Sequence, residues 1–279
     1  MSAVISEVVH SAIGLVILAL LFGALEWLWP EDRLNRRTSR DTFSDIIWWF
    51  MSYGTRLLGT LCAGILVVLV IRLVPAPHPW IPGIHAQPLW LQAFEVVFIG
   101  DFMGYWIHRT FHRTAWLWPF HAIHHSSEKL DWLAATRVHP VDGALHRLFP
   151  AALLYLMGFS GSLVGPFLIF LTLYPIALHA NIKLRFGWLG YLIVSPAFHR
   201  WHHTSEQRGL DKNFSGFFAI FDYLFGTAYL PRWQPRTFGL FQEKAPRGFI
   251  GQLLYPFRRR RGQPAAPSAA SSSATPYAP

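Results

Sequence analysis

The chain has 279 residues, 52% of them hydrophobic, 16% aromatic and only 14% charged, with a formal net charge of +9. Soluble domains carry roughly 25% charged residues, so the composition excludes an ordinary soluble protein and points to a membrane protein. The single cysteine, Cys62, excludes an internal disulfide framework and a cysteine-based metal cage. Within its apolar run it reads as a small buried or lipid-facing hydrophobe. The basic residues sit beside apolar runs and in one terminal cluster, a placement that fits membrane flanks and not a nucleic-acid partner.

Residues 11–29 are apolar over about the length a bilayer core requires and stop at Pro30. The missing basic start and cleavage site, with Trp27 and Trp29 as an interfacial pair, are expected of a span rather than of a secretory leader. Arg33, Arg36, Arg37 and Arg40 follow, which places this loop in the cytoplasm. Residues 43–53 are aromatic and read as interfacial, and residues 57–75 read as a second span. Residues 76–90 hold no Lys or Arg, but several prolines with Trp80 and Trp90, and read as a loop on the far side. A third span, residues 89–107, returns to the cytoplasmic face. Residues 148–180 are apolar and broken by Gly158, Gly161, Gly165 and Pro166, so they read as a helical hairpin that enters and leaves on the cytoplasmic side.

The expected fold is therefore all-α: a polytopic membrane protein with about three spans, a helical hairpin and a cytoplasmic helical cap. Residues 1–88 form N-terminal spans, 89–232 a catalytic core, 233–257 a membrane-apposed segment, and 258–279 a disordered basic and Pro/Ala/Ser tail. The histidine clusters and the C-terminus fall on the cytoplasmic side, in the cell inner membrane of a bacterium or the endoplasmic reticulum of a eukaryote.

Histidine carries the chemistry, with fourteen copies. Five lie within eighteen residues, in His108-Arg-Thr-Phe-His112 and His121-Ala-Ile-His124-His125, and the H-x-x-H-H pattern returns in His199-Arg-Trp-His202-His203. Helical spacing of three and four brings such residues onto one face, and imidazole is the commonest ligand for borderline metals. A zinc hydrolase site uses three protein ligands. These clusters offer too many imidazoles for one such site and enough for two ions with open positions. Imidazole suits iron, zinc, copper and nickel alike, and haem is a further alternative that would place single histidines inside the bilayer. A paired-ion site facing an apolar hairpin suggests oxidation of a lipid chain, because an unactivated C–H bond is beyond side-chain acids and bases. His10, His78 and His85 flank spans and read as interfacial. His146 belongs to no motif and reads as structural. Asp101, seven residues before His108, shares its helical face and is placed to orient that imidazole. Asp222 is a similar candidate, and Asn213 is one for a hydrogen bond in the core or the site. The Glu-x-x-His pairs of soluble di-iron bundles are missing from the histidine boxes, the single Glu7-Val8-Val9-His10 lying near the N-terminus.

Beyond the three boxes, the chain carries Tyr105-Trp106-Ile107-His108-Arg109, Leu117-Trp118 before His121, and His125-Ser126-Ser127-Glu128. It also carries Arg137-Val138-His139-Pro140, His179-Ala180-Asn181, Pro196-Ala197-Phe198 before His199, Asn213-Phe214, and Phe221-Asp222-Tyr223-Leu224-Phe225-Gly226-Thr227. On these motifs, over about residues 90–232, the sequence resembles the membrane-bound fatty acid hydroxylase and sterol desaturase superfamily of non-haem di-iron enzymes. The resemblance implies that His108, His112, His121, His124, His125, His179, His199, His202 and His203 bind two irons. It makes His139 and Asn181 further candidates as ligand or ligand support. It implies an oxidoreductase that uses O2 as co-substrate to hydroxylate a membrane lipid chain or a sterol- or isoprenoid-type lipid. Desaturation by the same site is the alternative, and a non-enzymatic metal- or haem-binding membrane protein the more distant one. Electrons are expected from a separate ferredoxin or cytochrome b5-like donor with its reductase, docked on Arg109, Arg113, Arg200 and Lys212.

Overall fold

The structure, a computed structural model, describes residues 2–35, 38–74 and 79–258. The readings made for Arg36, Arg37, His78 and the tail from residue 259 lie outside the described residues. Nine α-helices and five short 3-10 turns make up the described chain, and only isolated bridges, with no sheet, are found there.

Helix α1 (Ser2–Leu28) and helix α2 (Ser39–Leu73) form the N-terminal pair. The expected second span and the aromatic stretch before it are one continuous helix. It starts where the Thr38 hydroxyl accepts the Asp41 N–H, and no proline interrupts it. Leu20 is 70% exposed on α1 and Leu61 57% exposed on α2. Apolar surface of this extent is untenable in water and is what a helix facing lipid presents.

Helix α3 (Leu89–Arg113) covers the expected third span, yet it is not among the three helices long and apolar enough to cross a bilayer. Those are Ile5–Leu28, Arg40–Leu73 and Gly161–His179. The reason lies in its polar load: Gln92, Asp101 and His112 are buried against protein, so α3 is a wall of the interior more than a lipid-facing rod. Helix α4 (Trp118–His121) follows. The hairpin is formed by α5 (Pro140–Met157) and α6 (Gly161–His179). It starts eight residues earlier than its apolar run, because His139 caps α5 by accepting the Val141 N–H and Pro140 takes the first helical position. Gly158 ends α5 at φ +109, and a Cβ there would lie 2.6 Å from Pro79.

Beyond the hairpin lie α7 (Pro196–His202), α8 (Ile220–Leu224) and α9 (Phe249–Arg258). The interior is packed in patches. Val96, Leu154, Val164 and Phe167 join α3, α5 and α6, while Phe22, Trp49, Trp132 and Ile176 join α1, α2 and α6 around the turn Trp132–Thr136. α9 returns to α2, where Gln252 accepts from the Trp48 indole at 2.7 Å. Glu26, near the end of α1, accepts the backbone N–H groups of Trp132 and Asn181, both at 2.9 Å. The membrane helices are thus tied to the loops that carry the histidines.

The tightest helix contact tests this packing. A Cβ at Gly100 on α3 would lie 2.1 Å from the Phe167 ring of α6. Gly100→Ala should therefore destabilise the purified protein by about 1–3 kcal/mol, the range for overpacking. Thermal unfolding in detergent should show a Gly100→Ala/Phe167→Ala double variant less destabilised than the sum of the singles. Additive losses would show that the two do not meet.

Candidate metal centre

Nine histidines, all from the sequence motifs, meet at the end of the helix bundle. They form two adjoining groups, each with ligand atoms within 4.8 Å of one another: His108, His112, His121, His125 and His202, and then His124, His179, His199 and His203. α3 supplies the first pair, α4 and the turn His124–Ser126 the second box, the end of α6 supplies His179, and α7 the third box. The groups touch through His125 and His203, whose ring centroids are 4.4 Å apart.

What aims these rings is their Nδ1 atoms. His108 donates to Phe214 O at 2.7 Å, His202 to Lys212 O at 2.8 Å, His179 to Pro175 O at 2.7 Å and His124 to Arg137 O at 3.3 Å. A carbonyl only accepts, so in each of these rings the proton sits on Nδ1. The same holds where carboxylates accept: His121 Nδ1 lies 2.8 Å from Asp142, and His112 Nδ1 3.3 Å from Asp211. In each of these six rings the Nε2 atom is turned inward. His108 and His121 set theirs 2.9 Å apart, His124 and His179 theirs 3.2 Å apart. The Nε2 atoms of His112 and His202 are buried with no partner. Converging bare lone pairs need a cation, so the residues present fit bound metal.

Burial, and then the charge of neighbouring imidazoles, keeps His124, His125, His202 and His203 well below the usual imidazole range and pushes His199 down to about 3. These rings are neutral at physiological pH, the form that binds metal. Burial alone would push the Asp142 carboxyl up. The adjacent His121 and His146 outweigh it and hold the acid well below the usual carboxylate range. Asp142 is thus an ionised acceptor for two imidazoles, with His146 Nδ1 at 2.7 Å.

One loop does most of the aiming. Asp211, Lys212 and Phe214 contact three of the five histidines in the first group, and Asp211 and Asn213 adopt φ of +54 and +60 to turn successive carbonyls and side chains toward them. Asn and Asp tolerate this left-handed region better than other non-glycine residues. Here the sequence candidates appear in different roles. Asn213 donates to the carbonyls of Phe198 and Tyr229 and accepts the Tyr229 N–H. Asp222 accepts the N–H groups of Phe214 and Ser215. Asp101 accepts those of Phe217 and Phe218, and a Cβ at Gly216 would crowd it at 2.8 Å.

The expectation that Asp101 orients His108 is therefore corrected. Asp101 holds the far end of the loop, and Phe214 O orients His108. Asp222 likewise touches no imidazole. Asn181 pairs with the backbone of Asp32 through both its amide atoms and so anchors the end of α6 beside His179. His139 joins neither group and caps α5. Arg200, expected on a docking surface, is 2% exposed, lies over the Phe238 ring and contacts Asn181.

Sequence reading missed Asp142, Asp211 and Asp45, and it noted Arg137 only as part of a motif, without its partner. Asp142 sits three residues after His139 with no recognisable ligand spacing, and Asp211 is ninety-nine residues from the ring it meets. Arg137 forms a bidentate buried pair with Asp45 of α2, at 2.7 and 3.1 Å, while its carbonyl holds His124. Only the positively charged residue in an otherwise apolar, histidine-rich stretch signalled it.

The described residues thus define a helical membrane protein built around two adjoining all-histidine groups able to hold metal. Comparison with known proteins names its kind. A family model described as fatty acid hydroxylase matches residues 93–227. The chain is 28% identical over 253 residues to "Ornithine lipid hydroxylase OlsE" of Rhizobium tropici, covering 86% of this chain and 73% of that one. It is 31% identical over 145 residues to "Alkylglycerol monooxygenase" of Caenorhabditis elegans, 52% of this chain but 28% of that one. It is 27% identical over 165 residues to "Very-long-chain aldehyde decarbonylase GL1-7" of Oryza sativa subsp. japonica, spanning 25% of that protein. No solved structure gives a significant match. Residues 93–227 thus match a fatty acid hydroxylase domain, the region over which these relatives are similar. The chain is an oxidoreductase, the class to which hydroxylases and monooxygenases belong.

The carboxylates behind the rings give a direct test. Asp142→Asn and Asp211→Asn should each weaken metal binding about 10- to 100-fold, as other changes behind metal-ligating histidines do. Titration of metal-free protein against a competing chelator would measure this, with circular dichroism checking that the helices persist. Unchanged affinity in both variants would show that the carboxylates do not act on the rings.

Proposed function

We propose that the chain hydroxylates an unactivated C–H bond of a membrane lipid, using two non-haem irons and O2. The observation that supports this most directly is the set of inward Nε2 lone pairs, in two adjoining groups at the mouth of an apolar cavity. His108, His112, His121, His125 and His202 would hold one ion, and His124, His179, His199 and His203 the other. Iron supplies the oxygen-activating redox chemistry that no side chain can. The reaction balances as R–H + O2 + two electrons + two protons giving R–OH + H2O.

The chain's own residues do the rest. The Nδ1 partners hold the imidazoles aimed, and burial disfavours the charged form of His124 and His202. A cavity of about 250 Å³ lies between α2, α3, α5 and α6, and its wall includes His108, His121, His124, His179 and His199. Leu171, Ile176 and Leu178 give it an apolar wall, against which an apolar chain from the bilayer can meet the histidines. Electrons come from a separate carrier and its reductase, a ferredoxin or a cytochrome b5-like protein, docking beside Arg109 and the exposed Arg113. Arg33, Arg36, Arg37 and Arg40, which follow the first apolar run in the sequence, support a cytoplasmic position for the histidines. Hydroxylation is preferred to desaturation because hydroxylases and monooxygenases dominate the named relatives.

Metal analysis and lipid mass spectrometry test this reading. The purified protein should contain about two irons per chain, the count of a paired-ion site, and cells carrying it should gain a lipid heavier by one oxygen. His124→Ala and His202→Ala should abolish the product while membrane insertion persists. Zinc alone, a haem absorption band, or turnover retained in both variants would overturn the proposal. A lipid lighter by two hydrogens would assign desaturation instead.

A further inference from the structure

The wall of the cavity carries one more imidazole, that of His146 on α5, which belongs to neither histidine group. Its ring stacks on Phe111 with centroids 5.3 Å apart and meets His108 edge to face at 5.9 Å. Nδ1 lies 2.7 Å from an Asp142 carboxylate oxygen and 3.2 Å from Asp142 O. Both oxygens only accept, so Nδ1 carries a proton and the ring is held in one orientation. Among the described residues nothing pairs with Nε2, on the other side of the ring. The side chain is 28% exposed and lines the cavity, so it is open to a molecule bound there.

Several other polar side chains of this wall already have partners. The hydroxyls of Ser52, Thr55, Thr136 and Thr172 donate to the carbonyls of Trp49, Met51, Leu133 and Leu168. The Asp101 carboxylate accepts the N–H groups of Phe217 and Phe218. An apolar chain that fills the cavity displaces water from His146 Nε2, and a polar atom left there without a partner costs free energy. The bound molecule therefore has to bring a polar group to this place. A hydroxyl is the compact neutral group that pairs with Nε2 whether or not that nitrogen holds a proton, because it both donates and accepts.

We infer that the lipid substrate carries a hydroxyl close to the carbon that is oxidised, and that His146 Nε2 binds this hydroxyl while Asp142 holds the ring in place. The inference rests on the histidines being the oxidation site. The His146 ring adjoins that of His108, so a hydroxyl bound to it lies beside the first histidine group. The cavity, at about 250 Å³, is near the lower limit of small-molecule sites, roughly 300 Å³. It takes the hydroxyl and the carbons next to it, and not a whole lipid. His146 thus selects the substrate and takes no part in holding metal.

The test uses the full chain, purified in detergent and loaded with iron, and two probes that differ by a methyl group in place of the hydroxyl, octadecanol and nonadecane. Native mass spectrometry measures the affinity of each. The alcohol-to-alkane ratio of affinities is the readout, because a general loss of stability or of iron lowers both and leaves their ratio unchanged. The wild-type ratio should favour the alcohol about tenfold, as expected when the alkane leaves Nε2 unpaired. His146→Phe keeps a ring to stack on Phe111 and should remove that preference, and His146→Gln, whose amide can still pair with a hydroxyl, should keep part of it. Equal wild-type binding of the two probes, or a preference that survives His146→Phe, overturns the inference. If His146→Phe does not fold, His146→Leu takes its place and is judged by the same ratio. Wild-type protein that shows the preference but holds no iron would keep this site and remove the oxidation reading.

Discussion

Six Nδ1–H hydrogen bonds, each directed away from the cluster, are the constraint on which the rest of this structure depends. They leave the opposing Nε2 lone pairs facing one another in a buried space, an arrangement that repels itself unless a cation lies between them. Such a site cannot assemble by local preference, so the surrounding scaffold has to impose it. Where metal binds a site held this way, its binding free energy becomes part of the stability of the fold.

The partners of those bonds show how the imposition is arranged. Four are backbone carbonyls and two are carboxylates, in contrast to the glutamate-rich ligand sets of soluble di-iron bundles. A carbonyl can aim a ring only if the backbone is itself immobile. That explains the second layer of bonds, in which Asp222 and Asp101 hold the loop from Asp211 to Phe218 by its N–H groups, and Asn213 within it donates to Phe198 O. The Arg137–Asp45 pair does the same for the segment behind His124 and carries the restraint into α2. Glu26 and Asn181 carry it into α1 and the end of α6. The membrane helices and the histidine loops therefore form one mechanical unit, with a cavity between them that reaches the histidines.

All-helical architecture, membrane residence and the hairpin were legible in the chain because each rests on a short-range pattern, such as an apolar run of bilayer length or a Gly/Pro break. The nine histidines were legible for a related reason: eight carry helical spacing within boxes, and His179 is marked by its place at the end of an apolar stretch. The extent of α2 and the start of α5 were less so, since caps at Thr38 and His139 set those ends and hydropathy does not. The apolar count for α3 also misled, because its polar residues face protein rather than lipid.

Asp101, Asp222 and Asn213 show where sequence reading stops. Each was visible as a buried polar residue with a function to perform, but spacing along a helix assigned Asp101 to an imidazole that in fact belongs to Phe214 O. Asp211 and Asp142 were not visible at all. The sequence by itself determined which residues would gather into groups able to hold a metal, and that they would do so beside apolar helices of bilayer length, because ligand type and local spacing are properties of short segments. Only the tertiary structure decided how each ring is turned, which acids stand behind it and which charges share the cavity. Those depend on contacts between residues tens to more than a hundred positions apart, and no periodicity in the chain records them.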